Sequence, residues 1–188
     1  MARPVKSNVE ESAKYKIRKA FWELIQSRNI DTVSFSEISR IAGVNRNSLY
    51  YHYSNTKELA EDMLREAVPE ETRTAFVRSV LTGKIDNQFI ENYDKLLKIQ
   101  LYAGSSSPML NNLVQDLIKD TWFKELEINE SDLLPEEELQ INFIFAGIIS
   151  LLGNRKAISR PEVLPLFRES NLGQTVTETL LSISGSST

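Results

Sequence analysis

Cysteine is absent from the 188 residues, which excludes disulfides, thiolate metal sites and cysteine nucleophiles together. Histidine occurs once, at His52, so a multi-histidine metal centre cannot be built. Glycine and proline number 7 and 6, too few for a turn-rich β architecture. Long hydrophobic runs are missing as well: Ile141–Leu152 is interrupted by Asn142, Gly147 and Ser150 and is too short to span a bilayer. The opening Met1–Ser7 is polar and lacks the apolar core of a signal peptide, so a soluble, cytoplasmic chain with no membrane partner is expected. There is no nucleophile–base pair, no metal-ligand spacing and no glycine-rich nucleotide motif, and hence no expectation of an enzyme or a cofactor. Gly104–Ser107 lacks a phosphate-loop lysine and reads as a connector.

What is present is an ordinary globular balance, 41% hydrophobic and 26% charged, in a chain long enough to bury a core. The net charge of −4 is unevenly spread. Residues 1–60 hold ten Lys/Arg against six Asp/Glu, whereas residues 61–188 hold twelve against twenty. A basic head on an acidic body fits a nucleic-acid-binding domain with a different kind of domain behind it, divided as 1–60 and 61–188. The carboxylates at Glu136–Glu138 and at Asp116 and Asp120 read as solvated helix positions and not as metal ligands.

Nearly every segment has helical period, and no hairpin signal interrupts it; the fold class is all-α. A helix is expected over Val9–Arg28 with Ile17, Phe21, Leu24 and Ile25 on one face, closed by Asn29 in a left-handed conformation. Ser34 and Glu37 form a capping box for a short helix to Ala42 that buries Phe35, Ile38, Ile41 and Ala42. Asn45 caps a second short helix to about Tyr51. Asn55 and Glu58 form another capping box, opening a helix that Pro69 kinks or divides. Further helices are expected over Asp86–Tyr102, from Ser107-Pro108 through Trp122, over Glu136–Lys156 and over Gly173–Ile183.

Two short helices with a glycine-containing turn between them are the geometric core of a helix-turn-helix. Gly43 supplies the left-handed turn residue and Val44 plugs the angle between the helices. With Leu49 inward, a rotation of about 100° per residue aims Asn47 and Tyr51 outward, sets Ser48 and Tyr50 on the flanks and returns Tyr53 inward. The outward surface of Arg46, Asn47, Ser48, Tyr50 and Tyr51 offers donors and acceptors and no acid.

Ser34–Tyr53 resembles the DNA-binding segment of the TetR family of transcription regulators, most specifically in Ala42-Gly43-Val44 and Leu49-Tyr50-Tyr51-His52-Tyr53 at this separation. The match extends through Asn55, Lys57 and Leu59 and back to the first helix. The resemblance implies phosphate or DNA-backbone contacts for Ser34, Ser48, Tyr50 and His52, and base-edge positions for Arg46, Asn47 and Tyr51. Asn45, Thr56 and Lys57 complete the expected DNA-binding set. Thr56 occupies the position of a phosphate-binding lysine of the family, and Asn47 stands where the family has Gly or Pro.

The resemblance further implies a homodimer on a palindromic double-stranded operator and a small-molecule effector. Its pocket would be lined by Phe89, Tyr93, Leu97, Tyr102, Leu117, Trp122 and Phe143. The dimer would pair helices 136–156 and 173–183 through Phe145, Ile148, Ile149, Leu152, Val176 and Leu180. A helix apolar on more than one face needs cover on more than one side, which points the same way. The expectation is a ligand-responsive repressor. The alternatives are an activator or adaptor that uses the same head through a protein partner, and a helical ligand-binding protein or enzyme with no DNA role.

Overall fold

The computed structural model describes residues 6–84, 93–154 and 163–186, with the side chains of 13–84, 95, 98–154 and 166–185. Every regular element among them is helical. The head comprises α1 (Lys6–Ser27), α2 (Phe35–Ala42), α3 (Arg46–His52) and the start of α4 (Thr56–Ala67). The body continues with α5 (Glu70–Thr82), α6 (Tyr93–Ala103), α7 (Pro108–Glu125), α8 (Pro135–Gly153), α9 (Val163–Glu169) and α10 (Asn171–Ser186). The expected helix over 86–102 is described only from Tyr93, and α9 carried no signal that the sequence reading recognised.

The capping chemistry is local and mostly forms as written. Asn45 Oδ1 accepts from the Asn47 N–H at 2.8 Å. Asn55 Oδ1 accepts from the Glu58 N–H at 2.9 Å while Glu58 returns to the Ser54 N–H at 2.7 Å. Ser107 Oγ accepts from the Leu110 N–H, with Pro108 in the first turn of α7. At Ser34 only half of the expected box exists. Its hydroxyl accepts from the Glu37 N–H at 3.1 Å, but the Glu37 carboxylate accepts from the Arg28 guanidinium at 2.8 Å instead of reaching back. A charged donor outcompetes a neutral amide for that carboxylate.

Two further expectations need correction. Asn29 is extended, at φ −69° and ψ 115°, and caps a short 3₁₀ turn, Ile30–Thr32; it is not a left-handed helix terminus. In α2, Ile41 lies at the surface while Ser39 is buried, its hydroxyl donating to the Ser36 carbonyl. Measured from fully buried Ile38, Ala42, Phe35 and Ser39 fall within about 100° on one side, and Ile41 falls about 60° to the other. The inward arc of α2 is displaced away from Ile41.

Ile17, Phe21, Leu24 and Ile25 of α1 pack with Ile30, Val33, Ile38, Leu49, Tyr53 and Leu59 to form the core of the head. Pro69 does divide the chain, standing as the N-cap between α4 and α5, and Arg73 fastens the break by donating to the Val68 carbonyl at 2.7 Å. Helix α4 packs on α1 and also on α6 and α7, so the expected boundary at 60/61 falls within a helix shared by head and body. The body closes around Leu110, Leu113, Leu117, Trp122, Ile141, Phe145 and Leu180. Helices α6 and α8 come together end to end at Gly104 and Gly153. A Cβ on Gly104 would stand 2.8 Å from the Gly153 carbonyl oxygen, and one on Gly153 would stand 2.7 Å from that of Ala103. Backbone meets backbone there, and no side chain fits between.

Candidate nucleic-acid interface

The interface is built from the turn outward. Gly43 adopts φ 63° and ψ 32°, the left-handed region that costs a side-chain-bearing residue about 1–2 kcal/mol. Its N–H and that of Val44 close on the Arg40 and Ser39 carbonyls, so α2 stops and α3 begins at a fixed angle. Leu49 is completely buried and Tyr53 nearly so, which sets the rotation of α3. Arg46, Asn47, Tyr50 and Tyr51 consequently face out, with Tyr51 71% exposed. Ser48 and His52 are half-buried on the flanks.

The exposed side chains are not independent. The Tyr50 ring meets Phe35 edge-on at 5.1 Å, and the Arg46 guanidinium lies over the Tyr50 ring, 5.6 Å from its centre. Arg46 is thus held by an aromatic face that α2 itself supports. Tyr51 meets the His52 ring edge-on at 5.2 Å. His52 Nε2 is buried without a hydrogen-bond partner, so only the other edge of the imidazole is available to a phosphate.

The head is clamped from behind. The Tyr53 hydroxyl donates to Asp62 Oδ2 at 2.7 Å. Asp62 also faces Lys14 at 3.4 Å and Arg18 at 3.9 Å, and Arg18 pairs with Glu66. Burial raises the Tyr53 pKa, and the bond to Asp62 raises it further. Burial would also raise Asp62, but the Tyr53 hydroxyl, Lys14 and Arg18 together outweigh it and hold the carboxyl below its ordinary range. This cluster joins α1 to α3 and α4 and presents α3 as a rigid element.

Residues 17–63 match the family described as bacterial regulatory proteins, tetR family, a span that runs from the core of α1 through α3 into α4. Over these residues the chain is similar to the DNA-binding region of that family. A protein of Bacillus subtilis (strain 168) named "Uncharacterized HTH-type transcriptional regulator YxbF" is 27% identical over 147 residues, covering 72% of this chain. The stretch amounts to 37% of that protein's own length.

Not every expected site residue sits with the others. Thr56 begins α4, half-buried, four residues after the end of α3. Lys57 instead lines a groove of about 410 Å³ between α4 and α7, beside Glu61, Asp116, Asp120 and Glu130. Arg65 and Lys119 belong to the same lining. Ser34 is occupied as the cap of α2 and Asn45 as the cap of α3. Both stand at the N-terminal ends of those helices.

The expected effector residues are scattered. Leu117 and Trp122 are buried in α7. Tyr102 is fully buried at the junction with the head, packing 6.3 Å from Trp22 and donating to the Ala60 carbonyl. Phe143 is 80% exposed and so is displaced from any interior pocket. Phe89 and the side chains of Tyr93 and Leu97 lie outside the described residues.

The expected dimer residues are also divided. Phe145, Ile149 and Leu180 are buried inside the protomer, whereas Ile148, Leu152 and Val176 are half-buried. The apolar side chains left on the outer side of α8 are Leu139, Phe143 and Leu151. Sequence reasoning missed Leu139 and assigned Phe143 to the interior. The alternation Ile141, Phe145, Ile149 marks the inward stripe, but a helix apolar nearly all round hides that stripe. Among the described residues no group of acids and histidine is arranged to hold a metal ion, and no helix is long and apolar enough to cross a membrane.

Proposed function

We propose that the chain represses transcription by occupying a near-palindromic operator as a homodimer, with α3 in the major groove, and that a small molecule in the body relieves it. The observation that carries this reading is the outer surface of α3. Arg46, Asn47, Tyr50 and Tyr51 are exposed together, with no acid among them, on a helix fixed by Gly43 and Leu49. Arg46 and Asn47 are suited to bidentate readout of guanine and adenine, and the tyrosines and Ser48 to phosphates. Exposed Leu139, Phe143 and Leu151 on α8 and Leu181 on α10 supply an apolar face that a second copy would cover.

An effector pocket is supported by polar atoms without partners. Ser79 Oγ in α5 and Trp122 Nε1 in α7 are buried and make no hydrogen bond. Such groups are uncommon in a finished core and fit a site completed by a ligand. Two of the contacts between body and head run through the loop before α7. Ser107 Oγ donates to Asp31 Oδ1 at 2.7 Å and Asn29 Nδ2 donates to the Ser106 carbonyl at 3.3 Å. Repositioning the loop before α7 would therefore move the head directly.

The adaptor reading retains one specific observation in its favour, the place of Lys57 in the lining of the groove between α4 and α7. Selection of bound duplexes from a random pool decides between the two. The repressor reading expects a palindromic motif, half-sites about 34 Å apart, lost or relaxed by Arg46→Ala and Tyr51→Ala. Purely non-specific binding at physiological salt, with or without those side chains, would sink it.

A further inference from the structure

A groove of about 640 Å³ runs along the outer side of α1 where it meets α4 and α6. Its volume falls in the range of small-molecule sites, about 300–1,000 Å³, and it is separate from both the α3 surface and the α5–α7 interior. Tyr15, Lys19 and Trp22 recur along α1 at spacings of four and three and so share one face. That face is not the one buried in the head, which carries Ile17, Phe21 and Leu24. Tyr15 is 68% exposed, a large aromatic with no packing role to account for it. Met63 and Ala67 of α4 form the apolar floor.

The charge of the lining is one-sided. Lys14, Arg18, Lys19 and Lys98 contribute four cations, and Glu66 is the sole acid among the described lining residues. Lys14 and Arg18 are partly neutralised by Asp62 and Glu66. Lys19 and Lys98 are exposed and form no ion pair with any described residue. They belong to different helices, α1 and α6, yet face the same groove. Two exposed ammonium groups lining one groove beside an aromatic–aliphatic wall match a ligand with an apolar body and an anionic head.

We propose that this groove is a second ligand site, binding a small organic anion with its flat apolar body against Tyr15 and Trp22 and its carboxylate between Lys19 and Lys98. Arg18 stands within the same lining, so a bound carboxylate competes with Glu66 and Asp62 for it. Binding then loosens the clamp that joins α1 to α4 and stiffens the contact with α6. The site stands apart from the operator-binding reading, because its occupancy is measured without DNA.

The test titrates the full chain with 2-naphthoate and with its neutral analogue 2-naphthalenemethanol by calorimetry. Emission of Trp22 is followed alongside in a Trp122→Phe background. Naphthoate should bind at least about tenfold more tightly than the alcohol, the size expected for one charge-assisted contact, and should change Trp22 emission. The doubly substituted Lys19→Glu, Lys98→Glu protein should lose that preference, whereas Lys16→Glu, exposed on α1 outside the groove, should keep it. All these positions are solvent-exposed lysines, so folding is not at risk, and the wild-type calorimetry stands even if Trp122→Phe destabilises the body. Equal binding of the neutral analogue, or binding that survives both charge reversals, overturns the proposal. So does an absence of heat at millimolar naphthoate. Weakened duplex-DNA binding in the double variant without any naphthoate binding would assign the groove to the nucleic-acid backbone and overturn it equally.

Discussion

At the scale of single residues, two positions set the geometry of the head for different reasons. Gly43 is a backbone requirement: a Cβ there meets nothing within 4 Å, so Gly43→Ala creates no clash and its cost is the left-handed φ alone. Loss of about 1 kcal/mol is expected, read from the urea midpoint at unchanged slope. A neutral result would show that the turn relaxes. Asp62 is an electrostatic requirement. Its folded pKa lies below the ordinary 3.8, so its contribution is complete above that value and is lost as pH falls through the lower folded one. The difference in unfolding temperature between wild type and Asp62→Asn should accordingly be largest near neutrality and shrink below about pH 4. A difference that grows on acidification would contradict the clamp.

At the scale of elements, the junction of α6 and α7 does more than connect. Ser107 is fully buried and works twice, accepting from the Leu110 N–H as the cap of α7 and donating to Asp31 of the head. Asn111 pins the same loop by donating to the carbonyls of Tyr102, Ser105 and Ser107. Ser107→Ala removes a cap and a part-buried charge-assisted bond, a loss of about 2 kcal/mol in all. A double-mutant cycle with Asp31→Ala should give a coupling of about 1 kcal/mol, and zero coupling would mean that head and body are not joined through this pair. The cap was legible in the sequence because Ser-Pro before an apolar stripe is a local signal. The contact with Asp31 was not, since a serine hydroxyl has many acceptors and 76 residues separate the two. The same contrast holds elsewhere. Asn45, Asn55 and Gly43 announced their roles through neighbours a few positions away, whereas Glu37 chose Arg28 over its own cap once tertiary structure brought a cation near. In the site, the outward direction of Asn47 and Tyr51 followed from helical rotation. The support of Arg46 by Tyr50 and Phe35 needed the angle between two helices.

At the scale of the whole molecule, the proposed dimer raises the question of which face of α8 would meet a second copy. Periodicity cannot answer for a helix apolar over most of its circumference, and the residues expected at the interface turned out to be shared between core and flank. Rotation from Phe145 at about 100° per residue puts Leu139 and Phe143 on the side opposite the inward stripe, where Phe143 is 80% and Leu139 71% exposed. Leaving both in water forgoes about 2 kcal/mol per side chain of possible burial, which association would recover. Phe143→Glu should therefore convert the dimer to a monomer in sedimentation equilibrium while the helical circular-dichroism signal persists. Phe145→Ala, by contrast, should empty the core between α7 and α8, where Phe145 meets Phe123 at 6.4 Å, and cost about 3–5 kcal/mol of stability. Loss of the second head removes the effective concentration that a dimer gains on a two-half-site operator, so the Phe143→Glu monomer should bind a full operator no better than a half-site. A Phe143→Glu protein that still sediments as a dimer would move the interface away from this face. A wild type that sediments as a monomer at every concentration would remove the dimer from the proposed function altogether.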